Sequence, residues 1–153
     1  MAEINLELLK KLRNETSASV SDCRRALDES QGDYKKALAW LKERAAKIAE
    51  KKADRATSEG LVEAYIHAGG KVGAIVELLC ETDFVAKTDE FKKLAREVAM
   101  QVAAMNPEDT ETLMKQEYIR DSSQTIEQLV KEVIGKLGEN ITIKRFVRFA
   151  ISE

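Results

Sequence analysis

Apolar residues recur at helical spacing through the first third of the chain. Ile4, Leu8, Leu9 and Leu12 form one stripe, and Val20, Cys23, Ala26 and Leu27 form a second. Tyr34, Ala37, Leu38, Leu41 and Ala45 form a third, with Ile48 one turn further and Trp40 beside it. Punctuation between the stripes is consistent with three separate helices. Asn14-Glu15-Thr16-Ser17 ends the first, and Ser19 caps the second, with Asp22 favouring its N-terminus. Gly32 closes the second helix as a left-handed residue and Asp33 caps the third. Residues 47–58, KIAEKKADRATS, are charged and alanine-rich, so they read as a helical extension or linker. This places a domain boundary near residue 54.

Beyond it the period drops from about 3.6 to 2. Val62, Ala64, Ile66 and Ala68 alternate, as do Val72, Ala74, Val76, Leu78 and Cys80. Gly69-Gly70 between them predicts a hairpin closed by a type I′ turn, which needs positive φ at both central residues. A polar corner, Glu81 to Ala86, leads to a long helix with Phe91, Leu94, Ala95, Val98, Val102 and Met105 on one face. Asn106-Pro107 stops that helix, and a polar stretch without clear period runs to Ser123. Thr125 and Gln128 make a capping box for a helix bearing Ile126, Leu129, Val130, Val133 and Leu137, ended by Gly138. A last alternating run holds Ile141, Ile143, Arg145, Val147, Phe149 and Ile151. The expected class is α+β. Three N-terminal helices (residues 1–54) precede a core (residues 55–153) of a three-stranded antiparallel sheet covered by helices.

Composition narrows the function without naming it. With 44% hydrophobic and 34% charged residues, the 153-residue chain has the make-up of a globular protein. Its formal charge of −2 gives no general attraction to nucleic acid or to an anionic membrane. Residues 1–58 hold 13 Lys/Arg against 10 Asp/Glu, and residues 59–153 hold 12 against 17, so the two parts differ in sign. Cys23 and Cys80 are far apart and fall on apolar faces, as buried reduced thiols do. No apolar run reaches the ~18 residues that span a bilayer, and the N-terminus enters a helix almost at once. A cytoplasmic location is expected.

The most informative segment is Glu81-Thr82-Asp83-Phe84-Val85-Ala86. An aromatic ring in a polar strand-to-helix corner is a candidate probe for another protein's surface. Competing chemistry is weak. Gly69-Gly70-Lys71-Val72-Gly73 lacks phosphate-loop spacing, since Tyr65 stands where the first glycine would be, and it lies between two strands. His67, the only histidine, has no nucleophile motif beside it. Asp89-Glu90 sit in the first turn of a helix, where the macrodipole accounts for them. Arg13, Arg24 and Arg25 could meet an acidic helix. Lys144, Arg145 and Arg148 are a weak nucleic-acid signal without interleaved exposed aromatics. No catalytic residue, cofactor or metal ligand is expected.

Three segments resemble the elongation factor Ts family: residues 8–41, 72–107 and 117–153. The stretch ETDFVA followed by F-x-x-L-A-x-x-V-A-M-x-V-A-A-M-N-P is the most specific part. The resemblance implies a ubiquitin-associated-like N-terminal domain, an α/β core and a guanine nucleotide exchange factor whose partner is elongation factor Tu. It further implies that Asp83 and Phe84 wedge into the partner and dislodge its Mg²⁺, with Thr82 and Val85 holding the corner. Arg13, Val20 and Arg24 would dock the N-terminal domain on a separate helix of the GTPase. The chain departs from the family in the turn at Ser17, Ser19, Val20 and Ser21 and in lacking the long middle segment of larger members. Short members are expected to pair two copies of the core, so a homodimer is implied. The alternative reading is an adaptor that binds a partner through its helical domain without nucleotide exchange.

Overall fold

The computed structural model describes residues 4–152. Its first unit is α1 (Leu6–Thr16), α2 (Val20–Glu29) and α3 (Tyr34–Lys52). The stripes pack largely as their spacing predicts: Leu12, Cys23, Ala26, Leu27, Ala37 and Leu41 form one buried cluster, but Val20, at the first position of α2, stays exposed outside it. The caps explain where each helix begins. The Ser19 hydroxyl accepts from the Asp22 amide at 3.1 Å, and the Asp33 carboxylate accepts from Lys36 at 3.1 Å. Gln31, at φ +53°, is the left-handed residue that ends α2, one position before the glycine expected there; Gly32 follows at φ +80°, and its N–H donates to the Leu27 carbonyl at 2.9 Å.

The residues from 47 onward do more than link. The helix continues to Lys52, and Ala49 is buried in the second, larger cluster. That cluster lies between a sheet and its helices. Strands β1 (Glu59–Ile66), β2 (Val72–Cys80) and β5 (Thr142–Ala150) form an antiparallel sheet in the order β1-β2-β5. One face is covered by α5 (Asp89–Met105), through Phe91, Leu94, Val98 and Val102, and α7 (Ile126–Leu137) packs on α3 and α5, adding Ile126, Val130 and Ile134 to the same cluster. The capping box forms: Thr125 N–H donates to Gln128 at 2.8 Å, and Gln128 N–H to the Thr125 hydroxyl at 3.2 Å.

The hairpin turn differs from expectation. Gly70 N–H donates to the His67 carbonyl at 2.9 Å, which puts Ala68 and Gly69 at the centre. Of these two only Gly69 has positive φ, so the turn is not type I′. The polar residues after Pro107 form α6 (Thr110–Lys115) and a small hairpin of β3 (Glu117–Tyr118) and β4 (Asp121–Thr125). Polar groups fasten this hairpin to α5. Tyr118 donates to Glu97 at 2.5 Å, Arg120 pairs with Glu97 at 2.8 Å, and the fully buried Gln101 amide bonds Glu117 O and Ile119 N, each at 3.0 Å.

Strand faces separate sequence pattern from burial. In β2 the alternating set faces the helices, with Ala74, Val76, Leu78 and Cys80 all buried. In β1 the alternating set Val62, Ala64 and Ile66 lies on the open face, while Leu61 and Tyr65 pack on the core. In β5 a bulge opposite Glu77 and Leu78 leaves Lys144 unmatched. Ile143 is therefore inward before the bulge, and Phe146 is inward after it. Val147 and Phe149 consequently face out. The basic residues of this strand also split. Arg145 pairs with Glu77 at 2.6 Å on the open face, whereas Arg148 donates to the Ala103 carbonyl at 2.9 Å beneath. They do not form one basic surface.

Candidate functional site

The corner between β2 and α5 is built by two threonines six positions apart. Glu81 and Thr82 come after the last residue of β2 that pairs with β1, Cys80. Thr82 stays extended (φ −126°, ψ 154°), and its hydroxyl accepts from Val85 N–H at 3.4 Å, capping the single turn α4 (Asp83–Ala86). Thr88 ends that turn and begins the next helix. Its hydroxyl donates to the Val85 carbonyl at 2.7 Å and accepts from Phe91 N–H at 3.3 Å. Asp83 lies in the first turn of α4 and pairs with Lys87 at 3.1 Å.

Helical geometry then decides which side chains face out. Ala86 is buried and Val85 packs against the main cluster, so residues 83, 84 and 87 rotate to the opposite side. Phe84 is 80% exposed. The next phenylalanine, Phe91, is fully buried under the sheet. The corner thus presents an apolar ring to solvent on a turn whose Thr82, Val85, Ala86 and Lys87 N–H groups are all hydrogen-bonded.

A second strand-helix junction fastens the corner from behind. Gly138, at φ +75°, ends α7 and is followed by Glu139 and Asn140. The Glu139 carboxylate accepts from Glu81 N–H at 3.2 Å, Thr82 N–H at 2.9 Å and the Thr82 hydroxyl at 2.7 Å. In return, Asn140 N–H donates to the Glu81 carboxylate at 2.8 Å. The buried Asn140 amide donates to the carbonyls of Ala53 (3.3 Å) and Arg55 (2.9 Å), just beyond α3, and Arg55 lies 3.7 Å from Glu81. Cys80 sits beneath, its thiol donating to the Thr82 carbonyl at 3.1 Å. Burial, reinforced by the Glu139 charge, pushes that thiol up to about 11.

Thr82, Asp83, Phe84 and Val85 therefore meet in one turn. The other candidate set occupies α1 and α2. Arg13 is exposed in the last turn of α1, Val20 is exposed at the start of α2, and Arg24 lies one turn further on the same face. The intervening turn places Ser17 in left-handed backbone at φ +54°. The sequence pattern does not reveal Glu139, Asn140 or Arg55. Partners 57 to 87 positions apart leave no periodic trace, and the only local hint is a polar pair directly after a helix-closing glycine.

The family model described as elongation factor TS matches residues 81–153, beginning at the first residue of the corner. Elongation factor Ts of Rippkaea orientalis is 40% identical over 199 aligned positions, covering all of this chain and 80% of that protein. The corresponding protein of Coprothermobacter proteolyticus is 40% identical, with 99% of this chain and 100% of the relative covered. That of a Nostoc species is 44% identical over all of this chain, which spans 48% of its length. The chain belongs to the elongation factor Ts family. It is thereby a relative of translation elongation factors. Because the Rippkaea alignment runs to 199 positions and this chain has 153 residues, at least 46 positions have no counterpart here. Among the described residues, no helix is long and apolar enough to cross a membrane.

Proposed function

We propose that the protein is a guanine nucleotide exchange factor that binds GDP-bound elongation factor Tu in the cytoplasm and hastens loss of its GDP. One observation supports this above all: Phe84 stands 80% exposed on a turn pinned by caps at both ends. A ring so placed adds nothing to its own core. Buried in a partner, a phenylalanine side chain contributes ~1.5–3 kcal/mol, which shifts a conformational equilibrium about 10- to 100-fold.

The mechanism is non-covalent and needs no cofactor on this chain. Asp83 and Phe84 enter the GTPase and favour a conformation in which its Mg²⁺ is dislodged. The diphosphate then loses its neutralising charge and GDP leaves. By thermodynamic reciprocity, a factor that prefers the nucleotide-free GTPase lowers GDP affinity by the same ratio. GTP rebinds afterwards and expels the factor. Thr82 and Val85 hold the turn, and Arg13, Val20 and Arg24 dock the ubiquitin-associated-like unit (residues 1–54) on a second site. The core (residues 55–153) pairs with a second copy through the open face of its sheet, where Val62, Ile66, Ile75, Val147 and Phe149 are exposed. Nucleic acid and membranes play no direct part.

The test is release of fluorescent GDP from elongation factor Tu. Wild type accelerates release, and Phe84→Ala loses most of that acceleration. If Phe84→Ala is as active as wild type, the wedge is wrong. If wild type forms a complex without changing the off-rate, the adaptor reading replaces exchange.

A further inference from the structure

Glu139 does not lie on the α4 turn, yet it bonds the corner at three points. Its position comes from α7: Gly138 reverses the chain, and the next side chain is brought to the end of β2. There the amides of Glu81 and Thr82 have run past the last residue of β2 paired with β1. One carboxylate satisfies both. Its other oxygen does something more specific. A carboxylate only accepts, so the Thr82 hydroxyl, 2.7 Å away, must donate to it. The hydroxyl lone pairs are then left for Val85 N–H, the cap bond of α4. Glu139 thus sets the polarity of the hydroxyl that starts the turn carrying Phe84. Glu81 returns the contact by accepting from Asn140 N–H, so the two junctions clasp each other.

We propose that Glu139 is a positioning residue for nucleotide exchange: it fixes the direction in which Phe84 leaves the surface. This rests on the reading that Phe84 is the exchange-active ring. Replacing Glu139 by alanine removes both acceptor oxygens, and with them all three bonds, and frees the Thr82 hydroxyl to rotate. Phe84 stays exposed but no longer points one way. A rigid probe then becomes a mobile one, and part of its binding energy is spent on ordering it. Loss of charge-assisted bonds of this kind corresponds to about a tenfold fall in stimulated GDP release. Glutamine keeps an oxygen for the two backbone amides, and its NH₂ can donate to the hydroxyl, which still accepts from Val85. Glu139→Gln is therefore expected to recover most of the rate.

Two measurements on the full chain decide the matter. The first is amide hydrogen exchange in Glu139→Ala. Protection is expected to fall at Thr82, Val85 and Ala86 and to persist through β2 and α5. Unchanged protection at the corner overturns the proposal. The second is a double-mutant cycle in the GDP-release assay. Glu139→Ala is expected to have no further effect when Phe84 is already alanine. Additive losses mean that Glu139 acts elsewhere, which also overturns it. Should Phe84→Ala release GDP like wild type, the exchange reading fails by itself, and hydrogen exchange alone decides whether Glu139 orders the corner. If Glu139→Ala does not fold, Glu139→Asp, whose carboxylate is one methylene short of the corner, takes its place: reduced corner protection with a matching Phe84-dependent rate loss supports the proposal, and wild-type values for both overturn it.

Discussion

Gly135 of α7 rests directly on Ala45 of α3. A β-carbon at Gly135 would lie 2.6 Å from the Ala45 Cβ and 3.0 Å from its Cα. The third N-terminal helix and α7 of the core therefore meet at backbone distance, through a glycine that helix propensity alone disfavours.

That closeness fixes the sign of a substitution. On an open helix Gly→Ala gains up to ~1 kcal/mol. Here Gly135→Ala forces two helices apart, and overpacking of this kind costs ~1–3 kcal/mol. A lower urea midpoint is expected. The size-swapped pair Gly135→Ala with Ala45→Gly removes the 2.6 Å contact, leaving the 3.0 Å approach to the Cα of residue 45, and should regain part of the stability lost in Gly135→Ala. A stabilised single variant would show that the helices separate without cost.

Phe84 and Phe91, seven positions apart, should behave oppositely. Phe84→Ala deletes a ring that is mostly in water, so stability should stay within ~0.5 kcal/mol of wild type. Phe91→Ala empties a fully buried site and should cost ~3–5 kcal/mol. Chemical denaturation of both separates a contact residue from a core residue. A large stability loss in Phe84→Ala would mean that its ring packs on its own chain.

The open sheet face is legible row by row. Ala64, Ile75 and Val147 lie side by side across the strands, and Ile66, Gly73 and Phe149 make the next row. Ile66 lies over Gly73, where an added β-carbon would meet its Cδ1 at 2.6 Å. If two copies pair here, Phe149→Glu buries a charge in the interface and yields monomers, while the fold persists because Phe149 is 72% exposed in one chain. Sedimentation velocity reads the outcome. Dimers of unchanged strength would place the contact elsewhere.

Alkaline pH should weaken the protein through Cys80. Its thiol is raised from 9.0 to about 11, chiefly by burial and next by the Glu139 charge. The native state holds that proton more tightly than the unfolded chain does. The stabilisation is complete below pH 9 and is lost as pH climbs towards about 11. The buried Tyr118 phenol, raised by burial and by its bond to Glu97, acts in the same direction at higher pH. Unfolding midpoints of wild type should fall between these limits more steeply than those of Cys80→Ala. Parallel curves would exclude the thiol as the source.

Much of the fold was written in local pattern. Helical stripes, cap residues and stop residues act over three or four positions, so Ser19, Asp33, Thr125 and Asn106 mark their helix ends in the sequence itself. The polarity of the corner also isolated Phe84, because Val85 and Ala86 are the only apolar neighbours able to anchor the turn. Residues 108–123 were opaque for a physical reason. Their structure depends on Glu97 and Gln101 of another helix, and those bonds leave no period.

By itself the chain determined the type of its long helices and strands, the α+β class, the corner and its family likeness, since each depends on short-range spacing or on a contiguous motif. Tertiary structure alone decided which face of each strand is covered. A single unmatched residue in β5, Lys144, reverses the parity of the residues after it, so an unbroken alternation of apolar positions switches from core to open face. It also decided what holds Phe84 outward, because a carboxylate 57 positions away reaches Thr82 only once α7 is packed on α3 and α5.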